Sequence, residues 1–166
     1  MTTLKRPNQC PSLLLWLKNN IPAGSTVLDV GCGNKWHWPH IDARFIGIDA
    51  WPRFEPDYVL DLEKQDLPYI EADIVLFMDV IEHLSRARGL SILKQTMRLG
   101  KSVFLLTPTV WDSNEEVLHN KECDYYENPF APHKSLWTEA ELCAHGFSRT
   151  KEVFADKYFH GVWKRV

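Results

Sequence analysis

The stretch Val27-Leu28-Asp29-Val30-Gly31-Cys32-Gly33-Asn34 decides the fold, because an apolar run passes directly into two glycines spaced one apart. A short apolar run that is bounded by turn residues is typical of a parallel strand covered on both faces. The glycines allow a tight turn and let the backbone approach a ligand without an intervening Cβ. In an open α/β sheet such a turn lies at the carboxyl ends of the strands, where ligands bind. The stretch therefore predicts a first central strand followed by a binding turn.

The spacing of the acidic residue and the glycines indicates which class of cofactor the turn binds. A nicotinamide-type G-x-G-x-x-G fingerprint would need a glycine at position 36, where this chain has Trp36. What remains is Asp29-x-Gly31-x-Gly33, which resembles the first motif of class I S-adenosylmethionine-dependent methyltransferases. That family often has a third glycine where this chain has Lys35, so its loop is less permissive here. The resemblance is strongest over residues 27–108 and implies S-adenosylmethionine as the cofactor.

The resemblance also implies which residues hold that cofactor. Asp49 follows the second predicted strand, Phe45–Ile48, and is placed to accept hydrogen bonds from both ribose hydroxyls. Asp61 and Leu62 follow the third strand, Tyr58–Leu60, at the position that borders the adenine in the family. Either aspartate could instead only cap a turn. The implied cofactor-binding residues are Asp29, Gly31, Cys32, Gly33, Asp49, Ala50, Asp61, Leu62, Met78 and Asp79.

A second motif follows the fourth predicted strand, Ala72–Met78, as Asp79-Val80-Ile81-Glu82-His83-Leu84. Many small-molecule methyltransferases of the class carry such an acidic-x-x-Glu-His segment. It differs from the Asn/Asp-Pro-Pro-aromatic motif of enzymes that methylate nucleobase or amide nitrogens. The resemblance therefore implies methyl transfer to a small molecule, most directly at oxygen.

Within this second motif, His83 is the candidate general base and Asp79 the candidate catalytic residue beside the cofactor, since histidine titrates near neutral pH. His83 could instead be structural, bonded to a nearby backbone group. Some methyltransferases with a Glu-x-x-Glu-His segment bind a divalent metal, for which Asp79, Glu82 and His83 would be ligands. We expect the metal-free arrangement, with no metal ligands, because the sequence does not identify the remaining ligands; His119 and His133 are the two candidates for a further one.

The remaining elements complete an α/β, Rossmann-like open sheet of about seven mostly parallel strands. Prolines at positions 39, 52 and 56 predict reduced helices after the first two strands. Helices are predicted at Pro11–Ile21, from a Ser85 cap through about Leu99 with Gly100 as its stop, and from a capping box at Thr138 to Gly146. The fifth strand is predicted at Ser102–Leu106, and Ser148–Ala155 with Tyr158–Val166 form a closing antiparallel hairpin.

Residues 111–136 show no helical or strand period, yet they contain several aromatic residues. Loops of this length inside a domain are usually functional lids or disordered, and aromatic content argues against disorder. We interpret the segment as a candidate substrate lid. The alternative is an insertion packed on the surface.

Length, net charge and cysteine content give expectations for domain number, partners and cellular compartment. The 166 residues form a single domain, 1–166, and a net charge of −3 predicts no nucleic-acid partner. Four cysteines without a C-x-x-C pair favour a reduced, cytoplasmic protein, and the apolar run Leu13–Leu17 is too short for a signal peptide or membrane span. The oligomeric state is not predicted. Two other functions stay open: a non-catalytic binding or interaction protein of the same fold, and a nicotinamide-dependent oxidoreductase.

Overall fold

A seven-stranded sheet carries all the strand ends at which the site is expected. The computed structural model describes residues 11–150 and 157–166. The strands are β1 Ser25–Val30, β2 Ala43–Asp49, β3 Tyr58–Val59, β4 Ala72–Met78, β5 Gly100–Pro108, β6 Ser148–Arg149 and β7 Tyr158–Lys164. Their order is β3-β2-β1-β4-β5-β7-β6, in which β1 to β5 pair in parallel and β7 runs antiparallel to both β5 and β6. The predicted sheet with its antiparallel C-terminal pair is confirmed.

Both faces of the sheet are buried, which explains why the central strands are continuously apolar. Alternate residues of β4 point to opposite faces: Val75 and Phe77 join one core, whereas Ile74 and Leu76 join the other. The helices are α1 Pro11–Asn20, α2 Arg86–Leu99 and α3 Glu139–Ala144. Buried residues of α1 cover the second face, and those of α2 and α3 cover the first.

The connections after β1 and β2 are reduced to single 3₁₀ turns, as the prolines predicted. Trp38–His40 is the turn after β1 and Pro52–Phe54 is the turn after β2, and each has a proline in its first two positions. Proline is compatible with the first turn of a helix but prevents its continuation around that residue. The polypeptide therefore reaches each next strand through loop residues that remain near the strand ends.

The two residues that were predicted to begin and end α2 do not cap it in the expected way. Ser85 occupies the N-cap position of α2, but its side chain makes no capping bond, and its N–H donates to the Glu63 carboxylate at 2.9 Å. Gly100 has a φ of −93° and is not a left-handed stop. A Cβ at Gly100 would lie 2.8 Å from a methyl of Val75, so this glycine permits close packing at the start of β5. The predicted capping box at Thr138 is confirmed.

Several predicted strand boundaries are wrong by a few residues, and β5 begins before the predicted Ser102. β2 is longer than Phe45–Ile48, and β3 ends before Leu60. β6 includes only Ser148–Arg149, and residues 151–156 of the predicted hairpin lie outside the described residues. Strand ends depend on pairing with neighbours, which a local pattern does not encode. In the described part of the chain, no helix combines the length and apolarity needed to cross a membrane.

Candidate active site

Two adjoining pockets lie at the carboxyl ends of the parallel strands. The first, here called the strand-tip cleft, contains every predicted cofactor-binding residue except Gly33 in its lining. The second, here called the side pocket, is lined by residues that include Glu82, Trp111 and His133. Asp79 and His83 line both pockets. The residues that were predicted to be catalytic therefore lie where the two pockets meet.

The first glycine of the loop is needed for close packing as well as for its backbone conformation. Gly31 has a φ of +75°, and its N–H donates to the Ile48 carbonyl at 2.7 Å. A Cβ built on Gly31 would lie 2.2 Å from a methyl of Val80, which follows β4. The turn after β1 therefore lies directly against the loop after β4.

Asp49 is held in a defined orientation by the loop after β1 and by its own turn. One carboxylate oxygen accepts the Gly33 N–H at 2.9 Å, and the other accepts the Trp51 N–H at 2.8 Å. A carboxylate offers about four lone-pair sites, so these bonds leave capacity to accept from a ligand hydroxyl. Burial raises the pKa of Asp49, because a charged carboxylate loses hydration there.

The lysine at the third-glycine position does not prevent the turn. Lys35 adopts a φ of 57°, and its ammonium group donates to the Glu55 carbonyl beyond β2. The backbone thus takes the left-handed conformation that glycine would provide more cheaply. The departure from the family motif is accommodated locally.

Asp29 lies beneath the loop and is almost fully buried, with 2% of its surface exposed. Trp38 Nε1 donates to its carboxylate at 2.7 Å, and His37 Nε2 lies 3.0 Å from the same oxygen. His37 also lines the cleft, although no sequence motif indicated it. The signal that could have identified it is its position just after the glycine loop, where the family has a helix.

At the far end of the cleft, Asp61 and Leu62 follow β3, but the Asp61 carboxylate is already bonded. It accepts hydrogen bonds from the Lys64 ammonium at 2.8 Å and from the Glu63 N–H at 3.0 Å. Burial opposes ionisation of Asp61, yet these bonds lower its pKa overall. Asp61 therefore acts as a turn aspartate as well as lining the cleft, and buried Leu62 supplies apolar surface.

Glu82 is a buried structural residue of the loop after β4. Its carboxylate accepts the Thr107 hydroxyl at 2.9 Å, and its backbone carbonyl accepts the N–H groups of Lys134 and Ser135 at 2.7 and 3.0 Å. Burial, together with the negative charge of Asp79, raises the pKa of Glu82 well above its usual range. The loop after β4 is thereby tied to both β5 and the 111–136 segment.

His83 lies beside a second histidine from the 111–136 segment. Its Nδ1 is 3.3 Å from the Pro132 carbonyl oxygen, and its ring centre is 4.8 Å from that of His133. Glu82, His83 and His133 each place a potential ligand atom within 4.8 Å of the others. Of the two histidines considered as a further metal ligand, the structure brings His133 to the site; Asp79 is not part of this cluster.

The 111–136 segment contacts the glycine loop after β1. The Tyr125 hydroxyl oxygen would lie 2.6 Å from a Cβ at Gly33, and the Asn34 amide donates to Asp124 at 2.6 Å. Tyr125 also meets Phe54 edge to face. Further cleft residues that sequence reasoning did not identify are Leu60, Glu63, Val80, Leu84, Tyr125, Asn128, Phe130, Ala131 and Lys134.

Comparison with known proteins gives partial sequence matches and extensive structural ones. No family model matches the chain. A tRNA U34 carboxymethyltransferase of Shewanella denitrificans is 33% identical over 116 residues, which are 58% of this chain and 35% of that protein. The chain thus spans about a third of the length of the curated relatives it matches.

Among solved structures, a DhpI–SAM–HEP complex superposes with a TM-score of 0.64 at 18% identity, over 92% of this chain and 83% of the other. The methyltransferase domain of bacterial CtHen1-CN gives a TM-score of 0.55 at 18% identity, over 96% and 100% of the two chains. With its strand order and Asp-x-Gly-x-Gly turn, the chain has the fold of class I S-adenosylmethionine-dependent methyltransferases. The resemblance stated from the sequence is confirmed at this level.

Proposed function

We propose that the chain binds S-adenosylmethionine in the strand-tip cleft and transfers its methyl group to a small molecule in the side pocket, at an oxygen atom. The observation that carries this proposal is that the two pockets meet at Asp79 and His83. A methyl donor and an acceptor must approach each other at one point, and among residues 11–150 and 157–166 only these two border both spaces.

The residues of the cleft fit the chemical parts of such a cofactor. The oriented Asp49 carboxylate suits ribose hydroxyls, and the apolar Leu60 and Leu62 suit an adenine ring. Bound S-adenosylmethionine would supply a methyl group already activated on a sulfonium. The protein then mainly has to orient the acceptor and exclude water, which can contribute roughly 7–11 kcal/mol to lowering a barrier.

His83 is the residue that would accept the proton of an acceptor hydroxyl. If its Nδ1–H donates to the Pro132 carbonyl, its Nε2 carries the basic lone pair. A base in this position typically contributes about 10²–10⁴-fold to the rate. Asp79, on the same boundary, adds negative charge next to the positive sulfonium position.

A divalent cation held by Glu82, His83 and His133 is the competing arrangement. The observation in its favour is the convergence of three ligand atoms, and a cation would also offset repulsion between Glu82 and Asp79. Two imidazoles suit zinc or another transition metal better than magnesium. In this arrangement His83 is a ligand and not a base.

An RNA acceptor is the second candidate function, favoured by the partial match to tRNA U34 carboxymethyltransferases. The net charge of −3 argues against it, since RNA binding relies on basic residues that neutralise phosphates. A small-molecule acceptor therefore agrees better with this chain.

The test is methyl transfer from labelled S-adenosylmethionine to a small-molecule extract and, separately, to bulk tRNA. We expect label in the small-molecule fraction, activity that survives a chelator, and a decrease of about 10²–10⁴-fold in His83→Ala. His119→Ala is the matched control, because His119 is exposed and lines neither pocket. Label in tRNA would show that the acceptor is RNA. Loss of activity on chelation that one added metal restores would show that His83 is a metal ligand and not the base.

A further inference from the structure

Trp111 differs from the other tryptophans of the chain in its exposure to solvent. Of the seven tryptophans, all within the described residues, six are buried or half-buried, whereas Trp111 is 55% exposed. Trp16, Trp38 and Trp51 each pack a ring against a neighbouring aromatic side chain. We propose that Trp111 is the surface on which a ring of the acceptor stacks, and that the acceptor is an aromatic hydroxyl compound. This rests on the proposed function and deepens it by naming the class of acceptor.

The exposed indole lies at the side pocket, where the acceptor is proposed to bind. Among the exposed large apolar side chains of residues 11–150 and 157–166, only Val110 and Trp111 line either pocket. Both line the side pocket, and neither lines the strand-tip cleft. Single exposed apolar residues are normal on a protein surface, but an adjacent pair in a pocket that also contains His83 offers a ligand apolar surface to cover.

The backbone that carries Trp111 is anchored on both sides. The Thr109 N–H donates to a backbone carbonyl just before β7 at 2.8 Å, and the Ser113 carbonyl accepts the His133 N–H at 2.9 Å. The His133 ring centre lies 4.8 Å from that of His83, so the same wall of the pocket extends to the proposed base. Tryptophan has few rotatable bonds, and a side chain on a fixed backbone loses little freedom when a ligand binds. Trp111 is therefore preorganised for stacking.

The size of the side pocket and the chemistry of the transfer favour a compact aromatic hydroxyl compound. The pocket has a volume of about 320 Å³, near the lower end of the roughly 300–1,000 Å³ of small-molecule sites. Stacked aromatic rings attract each other beyond the effect of burying their area. A phenolic hydroxyl has a pKa of about 10, against about 15.7 for water, so its oxygen is more readily deprotonated for methyl transfer. This advantage holds whether His83 acts as a base or as a metal ligand.

A nucleobase is the other kind of ring that an exposed tryptophan can bind, since every base has a stacking face. The net charge of −3 argues against an RNA strand here, because its phosphates need basic residues. The test therefore includes an RNA probe, whose binding would contradict the proposal.

The test observes Trp111 directly by nuclear magnetic resonance. The ¹H–¹⁵N spectrum of the protein saturated with S-adenosylhomocysteine should contain one indole signal for each of the seven tryptophans, and that of Trp111 is the one lost in Trp111→Phe. The probes are phenol and cyclohexanol, which share a hydroxyl on a six-membered ring and differ in aromaticity. We expect phenol to shift the Trp111 signal saturably, through its ring current, and cyclohexanol to shift it far less.

Inhibition of methyl transfer to the small-molecule extract gives a second readout. The concentration of phenol that halves the transfer should rise about three- to tenfold in Trp111→Leu and stay near the wild-type value in Trp111→Phe. The effect of cyclohexanol should be the same in all three proteins. Tyr69→Leu is the matched control and should behave as wild type, because Tyr69 is an exposed aromatic residue that lines neither pocket.

An unchanged Trp111 signal with phenol, or equal shifts with phenol and cyclohexanol, would overturn the aromatic acceptor. A uridine oligonucleotide that shifts the signal more strongly than phenol would overturn it as well. Equal inhibition by phenol in wild type and Trp111→Leu would remove Trp111 from the acceptor site. In each of these cases, transfer of label to the small-molecule fraction would leave the proposed function intact, whereas absence of that transfer would overturn the proposed function and this inference with it.

Discussion

Replacing Asp49 with asparagine tests the cofactor site at its best-defined group. In the folded protein the two Asp49 oxygens accept the Gly33 and Trp51 N–H groups at 2.9 and 2.8 Å, which leaves acceptor capacity on the carboxylate. Asparagine keeps the shape but exchanges one acceptor oxygen for a donor nitrogen. The variant therefore loses the charge and at least one of the two acceptors that the ribose hydroxyls would use.

A hydrogen bond to a charged group contributes about 1.5–3 kcal/mol, so Asp49→Asn should weaken S-adenosylhomocysteine binding by about 10–150-fold. The effect on folding should be much smaller. The amide group leaves one backbone N–H unpaired, at a cost of about 1–3 kcal/mol, but it also removes a charge that burial disfavours. Isothermal titration calorimetry would measure the first effect and thermal unfolding the second.

Asp57→Asn is the matched control for this variant. Asp57 also accepts a backbone N–H from β2, that of Gly47 at 2.7 Å, but it does not line the cleft. Binding by this control should stay within about twofold of wild type. Equal weakening in both variants, or unchanged binding by Asp49→Asn, would refute the ribose assignment.

The pH dependence provides a second readout of the same residue. Burial raises the pKa of Asp49, so its carboxylate becomes protonated, as pH falls, at a higher pH than an ordinary aspartate does. Wild-type affinity should fall as pH decreases through that raised pKa, whereas Asp49→Asn should show a flatter profile. Parallel profiles for the two proteins would contradict the requirement for the ionised form.

Two further predictions concern packing and dynamics. In calorimetric unfolding, Gly31→Ala should destabilise the fold by about 2 kcal/mol or more relative to Gly24→Ala. Both glycines have a φ of +75°, but only Gly31 has a methyl of Val80 at 2.2 Å from the added Cβ. Equal losses of stability in the two variants would show that backbone strain alone matters. The 111–136 segment should exchange its amide hydrogens more slowly when S-adenosylhomocysteine is bound, because Tyr125 and Phe130 line the cleft. Identical exchange rates in the free and the ligand-bound protein would exclude the proposed lid function.

The sheet was predictable because its signals are local. The apolar runs of β1 and β4 are buried on both faces, and such runs have few alternative structures. The reduced connections followed from the prolines, which act on the backbone of their own turn. The two-residue β3 was less well bounded, since its extent depends on pairing with β2 rather than on its own residues.

Residues of the candidate site could be predicted only where they belong to a recognisable sequence motif. Asp49 and Asp79 follow strands, and the order of the strands brings them to one edge. Tyr125 approaches Gly33 although the two positions are far apart in the chain. No local sequence pattern predicts such a contact. The choice between His119 and His133 likewise depended on how the 111–136 segment folds back, because both lie in the same aperiodic stretch.

The Glu-His pair after β4 divides two tasks between neighbouring residues. Glu82 turns inward: its carboxylate bonds to Thr107, and its carbonyl holds the backbone of Lys134 and Ser135. His83, one residue later, faces both pockets. Because one 3₁₀ turn, Ile81–His83, contains both residues, the position of the 111–136 segment and that of the candidate base are set by the same short piece of backbone. The metal-free and metal-bound arrangements therefore differ in what His83 contacts, while in both of them the backbone at Glu82 holds this segment in place.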